Sequence, residues 1–372
     1  METCDALVIG GGPAGSSCAW YLRRHGLDVV VMDKAAFPRH KVGAGWITPA
    51  VLRTLDIDPG AYAQRRTLQA ITAFRTGLID DDPLATEYSA TVSYGIGRCE
   101  FDDCLVQRSG ARLRLGQALK SLRRSDDRWV INDAISTPLL IGAGGHFCPV
   151  ARYLGAELGT GESTVTAKEV EFEMAPQQLA ACRIRPAMPE LYFCPDLHGY
   201  GWCFRKGRYL NVGLGTEQAH GLADALERFR RFLRQRDAIP ANVPTRFHGH
   251  AYLLHGRSRR TLLDDGVLLV GDAAGLACPH SGEGIRPAIE SGLMAAATAL
   301  EAGADYRRQR LAAYRDRLLA RYGPPTSNSG GGGAQALRAF AARRLLRNRW
   351  FTRHVLLDRW FLQTQQGVFR VG

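Results

Sequence analysis

Three features of the 372-residue sequence predict an α/β fold. The apolar run Ala6-Leu7-Val8-Ile9 leads into Gly10-x-Gly12-x-x-Gly15 and a helical pattern reaching about His25. A second run, Val267-Leu268-Leu269-Val270, leads into another glycine-rich segment and a long alanine-rich helix, and between them the pattern from about Ser163 to His255 is mostly strand. Strands alternating with helices at both ends of a chain build one parallel sheet, and a run of strands between them builds a second layer. The expected architecture is a Rossmann-like domain interleaved with a mostly antiparallel β-sheet substrate domain, followed by C-terminal helices.

The N-terminal unit is a dinucleotide fingerprint in register. Gly10 allows the tight turn, Gly12 lets backbone approach a pyrophosphate, and Gly15 lets helix and strand pack closely. Pro13 and Ala14 open the helix, whose first N–H groups and dipole attract phosphate. The next apolar run, Val29-Val30-Val31-Met32, ends in Asp33, placed to take ribose hydroxyls, with Lys34 beside it. An acid here rather than an arginine argues against a 2′-phosphate. A glycine-rich turn packing for its own sake does not account for Asp33.

The second segment decides which dinucleotide. Gly271-Asp272 follows a buried strand at its carboxyl end, where α/β sheets hold ligands, and Asp272 can accept hydrogen bonds from the ribityl chain of a flavin. Gly282, Gly284 and Ile285 then open a helix running to about Ala302, whose N-terminal dipole stabilises negative charge on a reduced flavin. The cofactor implied is FAD, so the Rossmann-like unit is read as an FAD-binding domain.

The two domains interleave. Residues 1–67, 98–160 and 256–322 are assigned to the FAD-binding domain, and 68–97 and 161–255 to the substrate sheet. Strands around Trp129–Ile131 and Leu139–Ile141 are expected to close the flavin sheet. The helix starting at Arg98 carries that arginine either to the cofactor or to Asp102 at i,i+4. Tyr200, Trp202 and Phe204 alternate and so share one face of a strand. They form either an aromatic wall for an apolar substrate or an ordinary sheet core, and the wall is favoured. Residues 323–334 read as a flexible connection. Residues 335–372 form a helical tail in which eight arginines accompany one acid, Asp358. Such a tail can lie on an anionic membrane as a peripheral contact or cap the cavity; its many apolar positions favour capping.

Composition excludes several classes. The start of the chain leaves no room for a signal peptide, and no stretch approaches the ~20 apolar residues of a membrane-spanning helix, so a cytoplasmic protein is expected. Nine cysteines, without C-x-x-C spacing or a histidine cluster, suggest neither zinc nor disulfides. The net charge of +12 comes with only five lysines against 43 arginines and no nucleic-acid module, so no nucleic-acid partner is expected.

The pair of motifs resembles the superfamily of FAD-dependent monooxygenases, halogenases and geranylgeranyl reductases, with a fold like p-hydroxybenzoate hydroxylase. Tyr200-Gly-Trp202-Cys-Phe204-Arg205, followed after seven residues by Gly213-x-Gly215, is similar to the Y-x-W-x-F-P-x7-G-x-G signature of the geranylgeranyl reductases, with Arg205 for proline. Phe37-Pro-Arg39-His-Lys41-Val-Gly43-Ala-Gly45-Trp46 resembles their P-R-x-K-x-C-x-G stretch, with Gly43 in the cysteine's place. The resemblance implies cofactor contacts from Lys41, Gly45 and Arg98 and a pocket position for Trp46. The flavin-binding Asp of the aromatic hydroxylases is replaced by Gly144. The halogenase W-x-W-x-I-P motif is unmatched, and no lysine lies between Lys41 and Lys120.

The leading expectation is hydride transfer from reduced FAD to a C=C of an apolar, isoprenoid-like substrate, with His280 or Tyr200 as the acid. A flavin monooxygenase acting on a small molecule or a peptide side chain is the alternative. A halogenase and a prenyl-binding escort without FAD rank below both. With no second nucleotide fingerprint, electrons are expected from transient NAD(P)H or a separate reductase.

Overall fold

The computed structural model describes residues 1–159, 162–324 and 343–371. The apolar runs become the centre of a six-stranded sheet in the order Leu263–Asp264, Val267–Leu269, Leu139–Gly142, Ala6–Ile9, Val29–Asp33 and Arg112–Leu115. All neighbours are parallel except the first pair. Leu7, Val8, Val30, Val31, Leu140, Ile141 and Leu268 are fully buried, as strands covered on both faces require. Helices Pro13–Arg24 and Ile285–Ala302 follow the two glycine-rich turns.

Seven strands form the second sheet, in the order His248–Tyr252, Val165–Glu173, Tyr209–Thr216, Gly199–Lys206, Glu190–Phe193, Ala73–Leu78 and Leu84–Glu87. It is antiparallel except where Glu190–Phe193 runs parallel to Ala73–Leu78. Strand alternation divides its side chains between two cores. Tyr192, Cys203, Val212 and Leu214 pack under Phe229, Phe232 and Leu233 of the amphipathic helix Leu222–Gln235. Phe74, Leu191, Trp202 and Phe204 pack on the opposite face, under Leu346, Leu356, Leu357 and Phe361 of the C-terminal tail.

Two local expectations are corrected. Leu139–Gly142 is central in the flavin sheet, but Arg128–Ile131 belongs to a separate four-stranded sheet with Glu2–Thr3, Leu122–Ser125 and Ile135–Thr137. The flavin sheet is instead completed by Arg112–Leu115, whose alternate arginines suit a strand paired on one side and solvated on the other. Ser93–Ile96 leaves the large sheet and pairs with Trp46–Ile47 and Leu68–Ile71 in a three-stranded sheet, which holds the loop before Trp46.

The described part of the tail is less regular than one continuous helix. It is helical at 343–346 and Arg349–Phe351, and Thr352–Phe361 then winds as a π-helix, an uncommon winding, ending at Phe361. The proposed connection lies outside the described residues from 325 onward. No helix among the described residues is long and apolar enough to cross a membrane.

Candidate FAD and substrate site

Both glycine-rich turns open into one cavity of about 570 Å3 along the carboxyl edge of the parallel strands. Gly10 lies where Ala6–Ile9 and Leu139–Gly142 end side by side; its φ is +115°, and a Cβ there would stand 2.3 Å from the Ala143 carbonyl oxygen. A Cβ on Gly15 would stand 1.9 Å from the Gly10 oxygen, so helix and turn touch backbone to backbone. Gly12 caps its helix without a side-chain bond, and Gly12, Pro13 and Ala14 line the cavity. The first turn therefore presents backbone to a pyrophosphate. Asp33 Oδ2 accepts the Gly11 N–H and Oδ1 the Ala35 N–H, both at 2.8 Å, which aims the carboxylate along the cavity wall. Lys34 is exposed at the rim.

At the other end, Lys41, Gly45, Arg98, Asp272, Gly282, Gly284 and Ile285 converge on the cavity. Gly15 and Gly271 shape it from behind without lining it. Lys41 Nζ lies 3.1 Å from His250 Nε2, which lies 3.2 Å from Asp272 Oδ2. Burial lowers the Lys41 ammonium to about 8, against the attraction of Asp272. It also lowers the His250 imidazole, and Lys41 adds to this. For Asp272, burial alone would raise the carboxyl, but the His250 bond and the nearby Lys41 and Arg98 charges hold it at about 2. An ionised Asp272 suits acceptance of ribityl hydroxyls. Trp46 Nε1 and His146 Nε2, both on cavity-lining residues, are buried without a hydrogen-bond partner. A flavin dinucleotide with polar edges fits this set.

Arg98 lines the cavity, and its guanidinium reaches Asp102 at 3.2 Å. Asp102 is fully buried and also meets Arg39 at 3.4 Å. Gly43 holds φ +147°, a backbone conformation a cysteine would strain, and a Cβ there would also press on Arg98 Nη1 at 2.8 Å.

The aromatic wall is smaller than expected. Tyr200 and Trp202 line the cavity with Trp46, but Phe204, one step further along the strand, is buried behind Trp46, with ring centroids 5.8 Å apart. Gly213 makes room for the wall, since a Cβ there would stand 2.3 Å from Trp202 Cζ2. The indole then donates to Asn211 Oδ1 at 2.7 Å, and Asn211 Nδ2 donates to Glu169 and Glu171 at 3.0 Å. Glu171 pairs with Lys206, which donates to the Ala44 and Ile96 carbonyls and pins the loop before Trp46.

Neither expected acid is placed for proton transfer. His280 is exposed, does not line the cavity, and stacks on Trp360 at 5.4 Å. A position inside the glycine-rich motif did not place its ring, because the Cys278–Ser281 turn points it outward. Tyr200 lines the cavity, but its hydroxyl donates to the Ser281 carbonyl and burial pushes it well above the ordinary tyrosine range. Three site residues escaped the sequence reading. Glu283 lies inside the motif and lines the cavity; burial pushes its carboxyl up to about 7, against the Arg286 N–H bond at 2.7 Å. His250 stands in the alternation His248-x-His250-x-Tyr252, a strand signal without motif context. Phe361 comes from the tail and closes the apolar end, stacking on Trp46 at 5.4 Å and meeting Tyr200 edge-on at 5.4 Å.

Comparison with known proteins agrees with this geometry. Residues 3–320 match the model of the FAD binding domain family, leaving the tail beyond the match. Geranylgeranyl diphosphate reductase of Rhodobacter capsulatus is 31% identical over 314 residues, 80% of this chain and 75% of that protein. Digeranylgeranylglycerophospholipid reductase 2 of Methanosphaera stadtmanae is 28% identical over 335 residues, 84% of this chain and 82% of that protein. The crystal structure of a geranylgeranyl bacteriochlorophyll reductase-like protein from Thermoplasma acidophilum superimposes with a TM-score of 0.72 at 22% identity, covering 93% of this chain and 88% of that one. With its two glycine-rich turns meeting at one cavity, the chain belongs to the FAD binding domain family, as an FAD-dependent oxidoreductase of the geranylgeranyl reductase group.

Proposed function

We propose that this protein reduces a carbon–carbon double bond in a polyprenyl chain. The observation that carries the proposal is the aromatic end of the cavity, where the rings of Trp46, Tyr200, Trp202 and Phe361 pack together and, with the Tyr200 hydroxyl and the Trp202 N–H bonded within the protein, leave the Trp46 N–H as their one unpartnered polar group. Bound and reduced, FAD supplies a hydride. The chain's own residues do the rest. The Gly10–Gly15 turn and Asp33 hold the nucleotide, the aromatic wall excludes water, and Tyr200 fixes the turn carrying Glu283 through the Ser281 carbonyl. Glu283, whose carboxyl burial raises to about 7 so that part of it carries a proton at neutral pH, holds the proton for the second carbon of the double bond. After transfer, the carboxylate is reprotonated from solvent.

Incubating the FAD-loaded protein anaerobically with dithionite and a polyprenyl lipid tests this. The expected product is two mass units heavier per double bond reduced. Product that forms only with oxygen and carries labelled oxygen sinks the reductase reading in favour of a monooxygenase. Because a polyprenyl substrate resides in membranes, the protein works at a membrane surface, with the tail as its contact.

A further inference from the structure

The tail has two sides of opposite character. Its inner side, Leu346, Leu356, Leu357 and Phe361, is buried on the substrate sheet and in the cavity. On its outer side, Leu345 is 42% and Trp350 66% exposed, two of the few large apolar side chains so exposed among the described residues. Aromatic contacts run onward from there, from Trp350 to His354 and from Phe351 through Trp360 to His280. Arg344, Arg349 and Arg359 are exposed beside this band and make no hydrogen bond or ion pair through their guanidinium groups with a described residue. Asp358, the one acid of residues 335–372, is already engaged by the Tyr88 hydroxyl at 2.8 Å and His354 at 3.3 Å. The outer side is therefore cationic with apolar tips.

We propose that this outer side, from Leu345 to Trp360, docks on an anionic phospholipid bilayer, and that docking draws Phe361 out of the cavity to admit the apolar substrate. The inference rests on the polyprenyl reading above. Charge complementarity selects the occupant, because unpaired arginines meet lipid phosphates while tryptophan and leucine enter the headgroup boundary. Continuity selects the consequence. Trp350 and Phe361 belong to one short run of helix, so a force on the outer edge is transmitted to the ring stacked on Trp46. That ring occupies the apolar end of the cavity, where a prenyl chain must lie.

Co-sedimentation of the FAD-loaded full chain with vesicles of phosphatidylcholine alone, or of phosphatidylcholine mixed with anionic phosphatidylglycerol, tests the docking. Binding is expected only to the anionic vesicles and to fall in high salt. Replacing Arg344, Arg349 and Arg359 together by Gln should weaken it on the order of 100-fold, at about 1 kcal/mol per arginine. Leu345→Ala with Trp350→Ala should also abolish most binding while leaving turnover of a short, water-soluble prenyl substrate unchanged. Equal binding to neutral vesicles, or indifference to both sets of replacements, overturns the docking. Amide exchange across residues 352–362 should accelerate on anionic vesicles, and unchanged protection overturns the withdrawal of Phe361. If vesicle binding behaves as expected while no prenyl substrate is reduced, the reductase reading fails and the docking surface stands.

Discussion

Glu283 shows how burial converts an ordinary carboxyl into a proton source. Its raised value of about 7 means that it keeps its proton below neutrality and loses it above, so turnover should fall as pH rises through about 7. Glu283→Gln should lower single-turnover product formation by about 100-fold or more with FAD content, read from the flavin absorbance, unchanged. A retained rate would leave the proton to another donor. Glu169 is a second raised carboxyl, pushed up to about 7 by burial over the bonds from Asn211 and the Gly43 N–H. Between the ordinary glutamate value near 4.5 and about 7, the folded protein keeps a proton here that the unfolded chain has lost. Stability therefore declines with rising pH across that window. Glu169→Gln removes this term, so denaturant midpoints measured from pH 5 to 8 should decline less steeply than in the parent. Sequence alone pointed to the two glycine-rich turns, Asp33 and Asp272 of the cavity because glycines and an acid at a strand's carboxyl end recur at short, fixed spacings. It missed Glu283 and His250 because their roles arise from burial and from partners far along the chain.

At the scale of elements, the signature Tyr200–Gly215 is explained by two antiparallel strands in fixed register. Trp202 pairs with Gly213 and Tyr200 with Gly215, and Gly213 stands where the Trp202 ring crosses the neighbouring strand. Gly213→Ala should push the indole off Asn211 and destabilise the fold by about 1–3 kcal/mol, measurable as a lower denaturant midpoint. A neutral effect would show that the indole has room to move. The helices and buried strands were legible because apolar periodicity survives any tertiary setting. Arg112–Leu115 was not, because an edge strand needs only one apolar face, and Arg128–Ile131 was misassigned because pairing partners are chosen at long range.

The whole molecule is an FAD-binding sheet and a substrate sheet joined across one cavity, with the C-terminal tail covering the second sheet's inner face. Deleting residues 343–372 would expose Phe74, Leu191, Trp202 and Phe204 to water. At roughly 25 cal/mol per Å2 of apolar surface, loss of several buried leucines and a phenylalanine costs several kcal/mol. The truncated protein should therefore melt lower and aggregate while still binding FAD, since the nucleotide turns lie elsewhere. A truncation as stable as the full chain would show the tail to be dispensable packing. The sequence by itself determined the α/β class, the FAD site and the family, because those depend on glycines, apolar runs and an acid at short, fixed spacings. Only the tertiary structure decided which carboxyl is protonated, which aromatic rings face the cavity, and that Phe361 closes it. Burial, electrostatic environment and long-range contact exist only once the chain has folded.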